Sequence, residues 1–434
     1  MKSICFICNH DSSLKMSGFL AKAFRERGYR VHFFIIGTEN EQLRRLLEEF
    51  AIEEVLAFGS LRDFFLLDRW STYDVLHILA LGPVIRDFCA ELYLQLAEKP
   101  QRRPLLITGL IGHLGGDVAH CYMHRQACDL IYAGGPFDEE RLRTVASHVG
   151  DPGGKIVATG LPIFDGMHFA YRAPEKKMTL FAGQPTFPKR KEERQWIVKN
   201  MIELARQYPE QHFVLKPRVR PGEKTIHQAA HHYEDLLAAL EVPPPTNFEI
   251  SYRNIQELMQ ATSCLLTISS TAALEAMVAG IPVGIICDSG ISEQWGNQIF
   301  LGTGLLVSFL DLKQGHWPKK QQAQIERLVN PEAGASLRIV DEVERLMREK
   351  EPELERGLLP EFMHMKTTLW SQQKPRLNTR ADASDRIVCS LRYTTLRVAV
   401  SVLRALRRIP LFNRLLLALF RLSSKIVEQS KSAD

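Results

Sequence analysis

Apolar and polar positions alternate along this chain in two kinds of run. Short apolar runs at Ser3–Cys8, Arg30–Ile36, 74–79, 104–108 and 129–133 read as buried strands. Between them, residues 14–27, 39–50, 84–98, 119–127 and 136–147 repeat their apolar positions at helical spacing. Strand and helix in alternation imply parallel pairing, because a parallel connection needs a crossover of about a dozen residues. Residues 1–160 are therefore expected to form one doubly wound α/β domain. Residues 161–177 lose this periodicity and gather Gly, Pro and charge, as a linker does. The pattern then restarts, with strands expected at Met178–Ala182, His212–Lys216, 247–251, 264–268 and 283–287, and helices at Lys191–Gln207, 225–240 and 256–261. A further helical segment carries Glu275 and stops at Gly280-Ile281-Pro282. Residues 178–350 make a second domain, 351–385 a connecting region and 386–434 a separate tail. The expected fold is two tandem Rossmann-like doubly wound α/β domains facing a cleft.

Ligands of such sheets bind beyond the C-terminal ends of the strands, so each turn on that side is a candidate site. The first strand runs into Asn9-His10-Asp11-Ser12-Ser13, with Lys15 close behind. The strand near residue 108 ends in TGLIGHLGGD, which sets His113 and Asp117 among Gly109, Gly112, Gly115 and Gly116. In the second half, AGQPTFPKRK carries Gln184, and KPRVRPGEK carries Lys216, Arg218 and Arg220. The strand at 264–268 opens into three adjacent hydroxyls, Ser269, Ser270 and Thr271, ahead of the helix that carries Glu275. Unpaired N–H groups at a helix start, small hydroxyl side chains and nearby cations together favour a phosphate. One hydroxyl would suffice for a helix cap; three exceed that need.

Composition narrows the class without changing the fold. The chain has 434 residues, 45% hydrophobic and 24% charged, ample for two cores and ordinary for a globular protein. No apolar run approaches the roughly 20 residues that span a bilayer, and the N-terminus lacks a signal-peptide pattern, so a cytoplasmic location is expected. Eight cysteines are scattered through apolar runs, which argues against a disulfide framework. Cys5 and Cys8 form a CxxC inside a strand, without a second pair to complete a metal site, and read as buried thiols. His227 and His231 have the spacing of zinc ligands, with His232 beside them, but nothing completes the site and they read as solvated or capping residues. Neither a metal nor another cofactor is expected.

The net charge of +5 is concentrated at the end of the chain. Residues 386–434 hold ten Lys and Arg against two Asp and Glu, which leaves the remainder mildly acidic and gives no reason to expect nucleic acid as a partner. Within the tail, Arg397 and Arg404, and Arg407, Arg414 and Arg421, recur every seven residues between apolar runs, with an interruption at Pro410. A basic amphipathic segment of this kind suits an anionic membrane surface, here the inner face of the membrane.

The run Glu275…Gly280-Ile281-Pro282…Glu293-Gln294…Asn297 resembles the donor-site signature of GT-B-fold glycosyltransferases, E-x4-G-x-P followed by [D/E]-Q-x2-N. The resemblance implies that Glu275 binds a donor ribose, that Ser269, Ser270 and Thr271 hold the donor phosphates, and that the loop carrying Glu293, Gln294 and Asn297 lies over the sugar. HDSSLKM, GQPTFPKRKEER and KPRVRPGEKTIH together are similar to an uncharacterised bacterial family of polysaccharide-cluster glycosyltransferases, over residues 1 to about 330. A weaker similarity extends to GT-B sialyl- and Kdo-type transferases, in which a His-Pro or basic turn and a Ser-rich turn hold a CMP donor. Here Lys216-Pro217-Arg218 replaces the His-Pro form, which leaves CMP and UDP donors both open.

The activity implied is metal-independent transfer of a sugar from a nucleotide-sugar donor to a polysaccharide or lipid-linked glycan acceptor, in bacterial surface glycan (capsule) biosynthesis. The physical inventory agrees: without a metal, charge developing on the leaving phosphate must be met by N–H groups, hydroxyls and cations, which Ser269, Ser270, Thr271, Lys216 and Arg218 supply. Gln184, on a neighbouring turn, joins this donor set. The base for the acceptor hydroxyl should face them from the first domain, with Asp11 the first candidate and His10, His113 and Asp117 behind it. Two other classes share these features, a non-hydrolysing nucleotide-sugar 2-epimerase and a non-catalytic glycan- or nucleotide-binding scaffold.

Overall fold

The structure, a computed structural model, describes residues 1–98, 100–167, 177–185, 187–221, 231–241, 243–293, 295–355 and 357. The basic tail, Gln294, His227 and most of the expected linker lie outside the described residues.

The first sheet has seven parallel strands: β1 (Ser3–Cys8), β2 (Arg30–Ile36), β3 (Val55–Gly59), β4 (Val75–Leu79), β5 (Leu105–Gly109), β6 (Leu130–Tyr132) and β7 (Ile156–Val157), in the spatial order β3-β2-β1-β4-β5-β6-β7. The second has six, β8 (Met178–Ala182), β9 (His212–Lys216), β10 (Phe248–Ile250), β11 (Cys264–Thr267), β12 (Val283–Ile286) and β13 (Leu306–Val307), in the order β10-β9-β8-β11-β12-β13. Both are doubly wound, and in each the order reverses beside the first strand, between β1 and β4 and between β8 and β11. The strands that the apolar runs do not predict, β3, β7 and β13, are all sheet edges. They are short or only half-buried, so no continuous apolar run marks them.

Pleating divides the second sheet between two cores. Leu180, Val214, Leu265 and Ile285 join the apolar cluster that continues through the first sheet, while their neighbours Phe181, Phe213, Leu215, Leu266 and Ile286 fill a second cluster on the other face. Cys5 and Cys8 are both buried free thiols, and burial pushes the Cys8 thiol up to about 12. The helix Ala335–Glu349 follows the second sheet in sequence yet packs on the helix Asp11–Glu26 of the first. Arg27 donates to Asp341 at 2.6 Å, and Asp165 accepts from the Ala335 and Ser336 amides at 2.8 and 2.9 Å, capping the returning helix. A fully buried ion pair, Arg103–Asp129 at 2.6 Å, lies near the C-terminal end of the returning helix, where Lys350 comes within 3.8 Å of Asp129 and the Arg103 amide donates to the Leu354 carbonyl. Among the described residues no helix is long and apolar enough to cross a membrane.

Candidate functional site

A cavity of about 790 Å³ opens between the C-terminal ends of the two sheets, at both points where strand order reverses. Its walls carry His10, Asp11, Lys15 and His113 from the first sheet's turns, and Gln184, Lys216, Arg218, Ser269, Ser270, Thr271 and Glu275 from the second. The placement follows from topology, since parallel strands send all their following turns to one side.

On the second-sheet wall the three hydroxyls differ in use. Ser269 Oγ lies 3.1 Å from the Gln184 side-chain oxygen and also donates to the Trp295 carbonyl. A hydroxyl has one proton. With Trp295 taking it, the Gln184 amide is satisfied only when turned so that its NH₂ donates to Ser269 and its oxygen remains for other partners. Ser269 is thereby committed to shaping the wall. Ser270 Oγ accepts weakly from the Ala272 amide at 3.3 Å and keeps its proton for another partner, and the Thr271 side chain makes no cap bond. The helix they precede, Ala272–Val278, is two turns long, so the hydroxyls and the cations carry more of the anion preference than its dipole. Glu275 is 5% exposed, and its Oε2 has no hydrogen-bond partner among the described residues. Burial raises its pKa above the ordinary value, against the pull of Lys15, Arg218 and Lys216.

The neighbouring loops are fastened from behind. Arg194, on the helix Lys191–Gln207, is 2% exposed and donates to the carbonyls of Gln184, Pro185 and Pro188. Asn297 is buried and closes the 290–297 loop, accepting from the Ser292 amide and donating to the Gly290 carbonyl, both at 3.0 Å. It supports the loop rather than lining the cavity, and Glu293 stays exposed and away from the wall.

On the first-sheet wall, His10 is the N-cap of the helix Asp11–Glu26. Its Nδ1 accepts from the Ser13 amide at 3.2 Å while Ser13 Oγ accepts from the His10 amide at 3.1 Å. Asp11 opens the helix and reaches across the cavity: Arg218 Nη2 lies 2.7 Å from Asp11 Oδ2 and 2.6 Å from Ser12 Oγ. Burial opposes ionisation of Asp11, but the charge and hydrogen bond of Arg218 outweigh it, with help from His10, and hold the carboxyl below its ordinary value.

His113 Nε2 lies 3.2 Å from the Gly296 carbonyl, which can only accept, so the proton sits on Nε2. Its Nδ1 is then a bare lone pair with no partner among the described residues. Burial lowers its pKa to about 4, so the ring is neutral at pH 7. The loop around it comes close against the turns that follow the second sheet's strands. A Cβ at Gly112 would come within 2.7 Å of Thr271 Oγ1, and one at Gly115 within 3.2 Å of Gly296 Cα.

The fourth base candidate, Asp117, lies outside the cavity wall. It is the exposed N-cap of the helix Val118–Arg125, accepting from the His120 amide and pairing with the His120 ring at 2.7 Å. Conversely, the cavity includes residues that the motif reading passes over. Tyr252, Arg253 and Asn254 follow β10, where the rule about strand ends applies equally. Gln42, Arg45 and Glu49 line it from the polar side of the helix Glu41–Glu49, a side that amphipathic patterning assigns to solvent. Among the described residues no group of three or more His, Cys, Asp or Glu is placed to hold a metal ion.

Residues 4–330 match the family described as "Putative glycosyltransferase (DUF6716)". No curated protein matches the chain. Among solved structures, the S. aureus MnaA–UDP co-structure aligns with 80% of this chain and 97% of its own, at 14% identity and a TM-score of 0.56. UDP-GlcNAc 2-epimerase from Neisseria meningitidis, bound to UDP-GlcNAc, aligns with 80% of this chain and all of its own, at 15% identity and a TM-score of 0.52. The UDP-GlcNAc 2-epimerase from Methanocaldococcus jannaschii aligns with 80% of this chain and all of its own, at 13% identity and a TM-score of 0.52. At these identities the likeness is one of fold, the two-domain GT-B architecture. The family match takes in the whole cavity and nearly all of both sheets, and on that ground the chain belongs to the family described as "Putative glycosyltransferase (DUF6716)".

Proposed function

We propose that the protein is a glycosyltransferase that needs no metal and moves a sugar from a CMP- or UDP-linked donor to a polysaccharide or lipid-linked glycan acceptor in surface glycan biosynthesis. The observation that carries this reading is the pairing of two unlike walls in one cavity: hydroxyls, cations and a buried carboxylate face a second carboxylate and a neutral imidazole. Ser270, Thr271, Lys216 and Arg218 hold the donor phosphates, and Glu275 accepts from the ribose hydroxyls with its unpartnered oxygen. The acceptor oxygen forms the new bond to the anomeric carbon, the sugar–phosphate bond breaks, and the nucleotide leaves with the electron pair. The acceptor proton passes to Asp11, while His113 accepts a hydrogen bond from a sugar hydroxyl through Nδ1.

Thermal unfolding with CMP, CDP, UDP, GDP and their sugars tests the donor site, since a ligand of the folded state raises the midpoint. A donor that binds is then incubated with and without acceptor glycans. Isomerised donor in the absence of acceptor would replace this reading with that of a 2-epimerase, and binding without any turnover would leave a scaffold. Asp11→Asn should abolish transfer and keep donor binding.

The basic tail, outside the described residues, we read as the contact with an anionic membrane surface. A chain ending near residue 385 should no longer sediment with anionic liposomes, and undiminished sedimentation would refute that role.

A further inference from the structure

Arg218 belongs to the donor wall, yet its Nη2 meets two residues of the opposite wall, Asp11 and Ser12. The Nη2 group has two protons, and at 2.7 Å to Asp11 Oδ2 and 2.6 Å to Ser12 Oγ both are committed. His10 lies farther off, 3.9 Å from Asp11 Oδ1, and its Nδ1 accepts from the Ser13 amide, so that nitrogen gives the carboxylate no hydrogen bond and the ring adds only a lesser pull. Arg218 is thus the main counter-ion of Asp11 and the one in hydrogen-bond contact with it. Arg218 is also one of the three cations that act on Glu275, so a single guanidinium serves both walls.

We propose that Asp11 and Ser12 are built-in competitors for the donor's phosphate: a donor that recruits Arg218 releases Asp11, so the group that takes the acceptor's proton gains its full basicity only once the donor is seated. The coupling rests on the donor reading given above. The diphosphate of a UDP-linked donor carries two charges to the carboxylate's one, and the phosphate oxygens of either donor can meet the guanidinium fork at two points where Asp11 meets it at one, so the donor is the stronger partner. A phosphate beside an ionised Asp11 also repels it, which acts in the same direction. After release Asp11 is not left unoriented, because Gln42 Nε2 still donates to Oδ2 at 3.2 Å. Coupling of this kind is reciprocal: if the donor weakens the hold on Asp11, then removing the Asp11 charge must strengthen the hold on the donor.

The test is calorimetric titration of the full chain with UDP and with CMP. Asp11→Asn keeps the shape and removes the charge, and should tighten nucleotide binding about fivefold, the worth of a partly exposed ion pair. Ser12→Ala removes the weaker competitor and should tighten it about twofold. In an Arg218→Met background the Asp11→Asn gain should shrink to the part that direct repulsion between Asp11 and the phosphate supplies. Unfolding midpoints of each variant without nucleotide confirm that the variants are folded. Equal or weaker binding by folded Asp11→Asn would overturn the coupling while leaving the donor site intact. So would a gain that persists undiminished without Arg218. Failure of UDP and CMP to bind any of the variants, the wild type included, would overturn the donor reading itself and the coupling with it.

Discussion

On the second-sheet wall, Ser269 and Gln184 are tied into place by neutral hydrogen bonds, Asn297 closes the loop behind them in the same way, and the 184–188 loop is fastened by a buried arginine. On the first-sheet wall, Asp11 is held by the charge of Arg218 and His10 is used as a helix N-cap, while His113 is fixed by one bond to the Gly296 carbonyl. The two arrangements answer to different demands. A phosphate needs donors already in place when it arrives, because reorganising them during the reaction would cost part of the stabilisation they provide. A base needs a proton affinity that changes with the state of the site, which an ion pair allows and a neutral network does not. The first wall is therefore expected to respond to charge and pH, and the second to the loss of fixed hydrogen bonds.

The largest effect expected from this contrast is at Arg194. Its guanidinium serves three carbonyls of the 184–188 loop and packs 5.1 Å from the Tyr233 ring centroid. Arg194→Met keeps most of the volume and orphans those carbonyls. Stability should fall by about 2–4 kcal/mol, read from urea unfolding, and nucleotide affinity should fall with it as Gln184 loses its anchor. A variant as stable as wild type would show that the second wall is not fixed from behind, and the contrast would lose its basis.

The next effect concerns pH. His113 stands at about 4 against an ordinary 6.5, because burial disfavours the imidazolium more than the Gly296 carbonyl favours it. Between about pH 4 and 6.5 the unfolded chain binds more protons at this site, so its contribution to stability is complete above 6.5 and is lost as pH falls. Asp138 is buried beside the same loop, accepting from the Leu114 amide at 3.3 Å. Burial pushes it up to about 6 from 3.8, against the pull of that amide and Arg141. Its contribution is therefore complete below about pH 4 and is lost as pH rises through 6, the opposite slope in the same window. Asp138→Asn should leave stability rising more steeply with pH between 4 and 6.5 than in wild type, by up to about 1.4 kcal/mol per pH unit. His113→Gln should tilt the curve the other way. Parallel curves for all three proteins in urea unfolding would show that this loop is not held by charge.

Much of this was legible in the sequence where one residue type has one use. The apolar runs mark β1, β2, β8 and β9 because strands buried on both faces have no polar alternation to confuse them. The hydroxyl turn stands out because three consecutive hydroxyls exceed what a cap requires. Asp117 shows the opposite case: an acid between a glycine-rich loop and a helical pattern is the ordinary form of an N-cap, and the structure uses it so. His10 is a cap and a cavity residue at once, which no spacing rule separates. Gln42 and Arg45 could not be read at all, since a polar helix face looks the same whether it meets solvent or a cavity opening. The Asp11–Arg218 contact joins residues 207 positions apart, and only the closure of one sheet's turns upon the other's brings them together.

The smallest effect separates neighbours on the second wall. Ser269 is committed to the Trp295 carbonyl and the Gln184 amide, whereas the Ser270 hydroxyl keeps its proton available. Ser269→Ala should lower stability by about 1 kcal/mol, the net worth of a buried hydrogen bond, and weaken nucleotide binding only through the loosened loop. Ser270→Ala should leave stability within about 0.5 kcal/mol of wild type, as its bond to the Ala272 amide is weak, yet weaken nucleotide binding about fivefold. Thermal unfolding without ligand and titration with nucleotide read the two quantities separately. Should Ser269→Ala weaken binding with stability unchanged, Ser269 itself would be a phosphate donor. The second wall would then bind through the residues that also build it, and it would resemble the first wall, where Asp11 pairs with Arg218 and awaits a ligand with the same atom.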